Sequence, residues 1–454
     1  MSHRPRRRAS AGRRRATAEP VAGRIVALGR GGDGLLQAGG GETAADRFFV
    51  PGTVPGDEIR AKPLPPAGEG PPPAALDAVL APGPQRVPPP CPHFPQPGRE
   101  GCGGCRMQML DWSAYLDWKA GLARSALEQH GIDPALVEAP MVAPQRSRRR
   151  AGFAVLRRAG GVVAGFRGWR SHRVEDLSDA CLVCAAPLPA LLPHLRGLGA
   201  ELLRPGREMA AHVTATETGL DVVLRGPEPA AIDAWPRLTA FAEAADLARL
   251  SVAMPGHEDP EPVLLRRQPL LHFGPVPVVP PASGFLQAVP EIEAAMQAET
   301  AAWLAGAGRV LDLYAGCGTL SLPLIDSALI HAVDSDKAAL QAMQSGANAA
   351  GRGGRVTVQQ RDLTGFPLVG PELTGFDAAI LDPPRQGAAA QAGALAAGGH
   401  RIRRIAAVSC NPASLARDLA RLQGGGWQVT AVRLYDQFLW TPHLELVALL
   451  QRDT

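Results

Sequence analysis

Val310-Leu311-Asp312-Leu313-Tyr314-Ala315-Gly316-Cys317-Gly318-Thr319 decides the fold. Val310–Leu313 is an apolar run short enough for a buried strand, and it breaks into a glycine-rich turn. A helix is predicted after Thr319. Further on, Ile330–Val333 repeats the apolar strand and ends at Asp334. Glycines let backbone close on a nucleotide, and an acidic strand end can take both ribose hydroxyls. No third glycine stands at dinucleotide spacing and Asp312 precedes the loop, which favours S-adenosylmethionine over a dinucleotide.

The same rhythm continues downstream. Val356–Gln359 is a third strand with Asp362 just past its end. Ala378–Leu381 is a fourth and runs into Asp382-Pro383-Pro384-Arg385. Ile405–Val408 is a fifth and runs into Ser409-Cys410-Asn411-Pro412. The next helix has Leu415, Leu419 and Leu422 at helical spacing, Asn411 as N-cap and Pro412 at its first position. Successive strand ends therefore carry Tyr314, Asp334, Asp362, Asp382 and Cys410, where an open α/β sheet binds its ligands. The helix N-terminus is expected to favour thiolate over thiol at Cys410, which makes it a candidate nucleophile. The alternative is a small buried core cysteine.

Upstream the composition is ordinary for a globular chain: 454 residues, 46% apolar and 20% charged. Without a long apolar run or an apolar leader, the expectation is a cytoplasmic protein with no membrane partner and, as a working assignment, a monomer. The net charge of +4 conceals an Arg-rich start: Arg4, Arg6, Arg7, Arg8, Arg13, Arg14 and Arg15. Residues 1–18 read as a disordered tail, either a phosphate-binding arm or a solvated end. Residues 20–84 read as a small β-barrel, with strand-like runs at Val21–Ala27, Asp46–Val50, Glu58–Ala61 and Ala75–Leu80 between Gly and Pro turns.

Seven cysteines, an odd number in a large chain, point to metal or catalytic roles rather than a disulfide framework. Cys91-x10-Cys102-x2-Cys105, followed far downstream by Cys181, offers four thiolates to an iron–sulfur cluster or a structural zinc. A redox pair is the third reading of Cys102-Gly-Gly-Cys105. Leu110, Trp112, Tyr115, Leu116, Trp118 and Leu122 form an apolar helical stripe. Arg146, Arg148, Arg149 and Arg150, then Arg157, Arg158, Arg167, Arg170, His172 and Arg173, interleave with Phe153, Phe166 and Trp169. That mixture suits an RNA surface, or a solvated charged face. Residues 185–280 read as mixed α/β without a functional signal.

Three groups of residues now carry a resemblance. Phe48-Phe-Val-Pro-Gly-Thr-Val-Pro-Gly-Asp57 resembles the signature of the TRAM domain, an OB-like RNA-binding β-barrel. Asp312-Leu-Tyr-Ala-Gly-Cys-Gly-Thr319, Asp382-Pro-Pro-Arg385, Ser409-Cys-Asn-Pro412 and Thr441-Pro-His443-Leu-Glu445 are similar to the RNA uracil-C5 methyltransferase family. The cysteine set resembles its iron–sulfur branch, which acts on 23S rRNA. The resemblance covers nearly the whole chain after the tail. It implies a multidomain α/β protein: the β-barrel, a cysteine-cluster and RNA-binding domain over 85–280, and a class I, Rossmann-like methyltransferase domain over 281–454.

The resemblance further implies Cys410 as nucleophile and Glu445 as base. It implies Gln287, Tyr314, Thr319, Asp334, Asp362 and Asp382 as the S-adenosylmethionine site, and Cys91, Cys102, Cys105 and Cys181 as ligands of a [4Fe–4S] cluster. Cys184 is an alternative fourth ligand. The first cysteine gap is longer than the family's, and Val289 and Leu439 replace its asparagine and proline. The expected reaction is C5 methylation of an RNA uridine, in 23S rRNA first and in tRNA as the alternative. A non-catalytic RNA-binding or iron–sulfur protein is the remaining rival.

Overall fold

The computed structural model describes residues 19–39, 46–66, 68, 70–169, 171–226, 234–253 and 259–452. The Arg-rich tail and Arg170 lie outside these residues. The chain divides into two compact units, one reaching Arg86 together with Gln96–Arg99, the other Val87–Pro95 with everything from Glu100.

The first unit is a five-stranded antiparallel sheet. Its strands are β1 (Val21–Leu28), β2 (Gly34–Ala38), β3 (Arg47–Val50), β4 (Glu58–Pro63) and β5 (Ala74–Ala81), in the order β3-β2-β1-β4-β5. Phe49 bridges Pro73, so the two edge strands meet and the sheet curls towards closure around Ile25, Leu36, Val50, Ile59 and Ala74. β2 is a strand that the sequence reading passed over. Its Gly-Leu-Leu-Gln-Ala lies between glycine turns and is too short to stand out, yet it is paired on both sides. Gly23 permits that pairing, because a Cβ there would meet the Gln37 carbonyl oxygen at 2.1 Å.

In the second unit, α1 (Trp112–Glu128) and β6 (Met141–Val142) come first. A six-stranded sheet follows, with β7 (Arg150–Arg158), β8 (Gly161–Gly165), β9 (Glu208–Thr216), β10 (Gly219–Arg225), β11 (Arg249–Ala253) and β12 (Glu261–Leu265) in the order β12-β11-β10-β9-β7-β8. The short α2 (Pro187–Ala190), α3 (Leu192–Leu202) and α4 (Ala234–Ala244) accompany it. Phe153, Val155, Leu195, Met209, Leu224 and Phe241 belong to its core. A small hairpin, β13 (Leu271–Phe273) and β14 (Val276–Val278), leads on to α5 (Pro290–Trp303).

The last sheet has eight strands. β15 (Arg309–Leu313), β16 (Leu329–Asp334), β17 (Val356–Gln360), β18 (Ala378–Leu381), β19 (Arg404–Ser409), β20 (Gln428–Asp436) and β21 (Glu445–Gln451) join β6 in the order β17-β16-β15-β18-β19-β21-β20-β6. The first five of that order are parallel, and β21 runs antiparallel between β19 and β20. Order reverses between β15 and β18, so a crevice opens at their carboxyl ends. Among the helices are α6 (Lys337–Ala349), α7 (Ala389–Ala396) and α8 (Pro412–Gly424). α1 packs its Ala123, Ala126 and Leu127 into this core.

The helix predicted after Thr319 does not form. Turns and one 3-10 turn, Leu322–Leu324, fill the link to β16. Pro323 supplies no N–H there, and Ser321 spends its hydroxyl on the Asp312 carboxylate. Too few residues remain before β16 to start again. Among the described residues no helix is long and apolar enough to cross a membrane.

Candidate active site

The crevice between β15 and β18 is lined by acids. Asp312 is buried inside β15, and loss of water pushes its carboxyl up to about 7 despite the Ser321 hydroxyl, with Asp334 adding to the rise. Asp382, partly open yet surrounded by protein, is raised to about 7 by desolvation and by the neighbouring Asp312 and Asp334. Its backbone N–H donates to the Leu313 carbonyl at 3.2 Å, tying the two strand ends together.

Tyr314 sits at φ 62°, a left-handed conformation uncommon for a bulky residue, and its N–H reaches back to the Val333 carbonyl at 2.9 Å. That reversal presents Gly316, whose N–H donates to one Asp334 oxygen at 2.8 Å. The Asp336 N–H donates to the other oxygen at 2.8 Å, so the carboxylate is held in one orientation. Gly316 has open space where a Cβ would stand, whereas a Cβ on Gly318 would press on Leu322 and Met343 at 2.8 Å. Thr319 is half-buried and its carbonyl accepts from Gln297 at 2.9 Å. Asp362 is exposed past the end of β17, where it accepts from the Thr364 N–H at 2.9 Å.

Cys410 and Glu445 lie at the same end of the sheet, Cys410 just past β19 and Glu445 as the first residue of β21. In the antiparallel pair of β19 and β21, Ser409 lies opposite Leu446, so the next residue of each strand emerges at the same sheet end. Asn411 caps α8 as predicted, its side chain accepting from the Ala413 N–H at 3.1 Å. The expected thiolate is not what the site favours. Burial, then the Glu445 and Asp382 carboxyls, push the Cys410 thiol up to about 11, and Arg385 only partly opposes them. One helix terminus is outweighed by desolvation and two acids. Replacing Glu445 with Gln removes the second of those causes. Site-resolved alkylation of the free protein against pH is therefore expected to show Cys410 titrating lower in Glu445→Gln and higher in Arg385→Ala.

Glu445 is buried, and desolvation followed by Asp382 raises its carboxyl to about 8 against a Gln437 amide that stabilises the ionised form. Gln437 is a residue that the sequence reading missed. Its Oε1 accepts from the Ala288 N–H at 2.7 Å, and its Nε2 donates to Gln287 Oε1 at 2.6 Å. It joins Gln287 to the base candidate. Only its place four residues ahead of Thr441-Pro-His443-Leu-Glu445 could have signalled it.

The upstream cysteines also gather. Cys91, Cys102 and Cys105 lie close enough to Cys181 for each thiol to be raised by the neighbouring ones, although burial dominates; Cys102 and Cys105 reach about 12. Cys181 goes the other way, to about 6, because the Cys184 thiol and the Cys184 and Val183 N–H groups donate to it. Cys184 is buried behind Cys181, with its own thiol pushed up by that hydrogen bond and by burial. Gly103 is required in the Cys-Gly-Gly-Cys turn, since a Cβ would meet the Arg167 carbonyl oxygen and the Trp169 nitrogen at 2.7 Å. Among the described residues no three His, Cys, Asp or Glu side chains converge as the ligands of one metal ion.

Among the described residues of the basic cluster only Arg149 is buried, while Arg146, Arg158, Arg167, His172 and Arg173 are exposed. Arg149 is buried, pairs with Glu293 at 2.5 Å and donates to the Gln287 carbonyl at 3.1 Å. Arg150 donates to the Leu286 and Gly284 carbonyls at 2.6 and 2.8 Å. Arg157 and Arg158 donate to backbone carbonyls, and Arg167 pairs with Glu208. Phe153 is core. Part of the cluster lines a cavity of about 300 Å³, with Arg148, Arg150, His212, Phe285, Gln287 and Phe438 among its walls. Phe285 is 70% exposed at its edge, with the Arg150 guanidinium 5.9 Å from the ring centre, and Arg148 lies 5.6 Å from Phe438.

Comparison with known proteins gives the chain a family. The tRNA (uracil-5-)-methyltransferase family pattern matches residues 361–453. An uncharacterised RNA methyltransferase of Brucella suis is 39% identical over 435 residues, 94% of this chain and 97% of its own length. The chain belongs to the RNA (uracil-5-)-methyltransferase family. The methyltransferase is also 33% identical over 389 residues to the 23S rRNA (uracil(1939)-C(5))-methyltransferase RlmD of Chromohalobacter salexigens, across 83% of this chain and 78% of that one. Its fold is that of the Pyrococcus abyssi tRNA (uracil-54, C5)-methyltransferase, solved in complex with S-adenosyl-L-homocysteine. The TM-score is 0.70 at 20% identity, covering 95% of this chain and 99% of that one.

Proposed function

We propose that this methyltransferase transfers a methyl group from S-adenosylmethionine to C5 of a uridine in 23S rRNA. The pairing of Cys410 with Glu445 at one sheet end carries the reading. Uracil C5 is a weak nucleophile. Addition of the Cys410 sulfur as thiolate, its proton given up to solvent, forms a C–S bond at C6 and moves the C5–C6 electrons onto the O4 enolate. Bound S-adenosylmethionine supplies the electrophilic methyl to C5 and leaves as its thioether. Glu445 then takes the C5 proton, the double bond re-forms and the Cys410 sulfur is expelled. Gln437 orients Glu445, and Asp382 fits the cofactor or the uracil edge. A stacked base cannot reach this site, so the uridine is flipped out, and the Arg148, Arg150 and Phe285 cavity receives the displaced strand.

Asp334 has the fixed, solvent-facing orientation that ribose hydroxyls require, and Tyr314–Gly316 leave open space beside it. With Gln287, Thr319, Asp362 and Asp382 they would hold the methyl donor. Cys91, Cys102, Cys105 and Cys181 are an all-thiol set near enough for neighbouring thiols to raise one another, and thiolate sulfur is the donor a [4Fe–4S] cluster takes. Cys91, Cys102, Cys105 and Cys181 would hold it, with Cys184 as hydrogen-bond donor to Cys181. The cluster would cross-link the Cys91–Cys105 loop to the segment after Val174. The β-barrel is read as a TRAM domain that helps hold the RNA. Rivalry with tRNA is decided by mapping 5-methyluridine in a deletion strain. Loss from 23S rRNA alone is the expected result, and loss from tRNA alone overturns the assignment. Anaerobically purified protein is expected to be brown with equal iron and sulfide, and a colourless zinc protein would refute the cluster.

A further inference from the structure

We propose that Tyr115, Lys119 and Asp436 are positioning residues for proton removal from C5, setting the loop that delivers Glu445; the assignment rests on the roles of Cys410 and Glu445 given above. The loop runs from Gln437 to Leu444 between β20 and β21 and has no regular structure. It contributes Gln437, Phe438 and His443 around the site and ends on Glu445. Such a segment has no ladder to fix its shape, so its polar backbone must be tied elsewhere.

One face of α1 does the tying. Tyr115 and Lys119 are one helical turn apart and both are fully buried. Asp436, at the start of the loop and also fully buried, accepts the Tyr115 hydroxyl at 2.7 Å and the Phe438 N–H at 3.1 Å, and it pairs with Lys119. Lys119 donates further to the His443 carbonyl at 2.6 Å and the Phe438 carbonyl at 3.3 Å. The Tyr115 oxygen accepts from the Trp440 N–H at 2.8 Å. Trp440 holds φ 55°, a conformation that persists only where its surroundings impose it. The loop is thus fixed at residues 438, 440 and 443.

A purely structural helix face would place an aliphatic side chain at position 119. A buried amine and carboxylate are costly unless each donor and acceptor is matched, and here every match outside the trio itself is to the loop that leads into Glu445, the first residue of β21. None of the three hydrogen-bonds Cys410 or Glu445, so they act through the loop and not on the substrate.

The two chemical stages separate this role from a merely structural one. Forming the covalent RNA adduct requires Cys410, whereas releasing it requires Glu445. Tyr115→Phe keeps the ring and removes both of its hydroxyl's hydrogen bonds. With full-length protein, S-adenosylmethionine and unmodified 23S rRNA, kcat is expected to fall about tenfold or more with KM for RNA unchanged. A covalent adduct on ordinary uridine should accumulate on denaturing gels. With 5-fluorouridine-substituted rRNA, which has no removable C5 proton, the adduct should form at the wild-type rate. Lys119→Met combined with Asp436→Asn, which leaves no lone buried charge, is expected to behave alike; should it fail to fold, Tyr115→Phe decides alone. Wild-type kinetics, a KM effect only, or equal loss of adduct formation and turnover would overturn the proposal. A wild-type protein that forms no fluorouridine adduct would instead remove the reading of Cys410 beneath it, and the proposal with it.

Discussion

Cys410→Ala is expected to abolish methylation, by about 10⁴-fold or more, and to abolish the covalent adduct with 5-fluorouridine RNA as well. The sulfur is the only group in the proposed scheme that can raise electron density at C5, so no residual path of similar rate remains. Cys410 is partly exposed at the mouth of β19, so its removal leaves no large cavity and the loss is not one of folding. Circular dichroism and thermal unfolding should match wild type. The thiol at about 11 adds a second expectation. In the free protein at pH 8 the thiolate is a minor form, roughly one part in a thousand by titration arithmetic. Alkylation of Cys410 in the free protein should therefore be slow near neutrality and speed up steadily with pH. Cys410→Ser should be as inactive as alanine, because a hydroxyl beside Glu445 and Asp382 is harder still to ionise. A variant that still formed adduct would refute Cys410 as nucleophile.

What the sequence made legible follows the range of the interactions involved. Val310–Leu313, Ala378–Leu381 and Ile405–Val408 are buried on both sheet faces, so each reads as an unbroken apolar run and each is a strand of the parallel sheet. The Asn411–Pro412 cap is local chemistry and lies where expected. Failures came where a partner distant in sequence decides. Lys119 carries no signal in the local pattern, because the groups that match its buried amine, Asp436 and the Phe438 and His443 carbonyls, lie more than 300 residues away. Arg149 looked like a phosphate contact, but Glu293 claims it. The helix-end argument at Cys410 is sound locally and loses to burial first and then to the Glu445 and Asp382 carboxyls. The missing helix after Thr319 was readable in hindsight from Pro323, whose effect competed with the strong βαβ expectation.

Glu445→Gln is expected to separate the two stages of the reaction. Turnover should fall about 10³-fold, the range typical for removing a general base, while the adduct on ordinary uridine RNA accumulates because it forms but cannot resolve. A wild-type pH profile should rise through about 8 as the Glu445 carboxyl ionises, and that limb should vanish in the variant. Stability moves in the opposite direction. The folded protein raises this carboxyl far above its ordinary value, so folding prefers the neutral acid. That preference is fully present below about pH 4.5 and is lost as pH rises through about 8, where a buried carboxylate must be carried. Glutamine matches the neutral acid in shape and never ionises. Above pH 8 the variant should therefore unfold later than wild type, by on the order of 2 kcal/mol, with a smaller difference at pH 6. The stability gain tests the raised carboxyl and the turnover loss tests its chemistry, so the two readouts are independent. Equal stability at both pH values would refute the raised carboxyl, and adduct formation reduced in step with turnover would show that Glu445 is not the base.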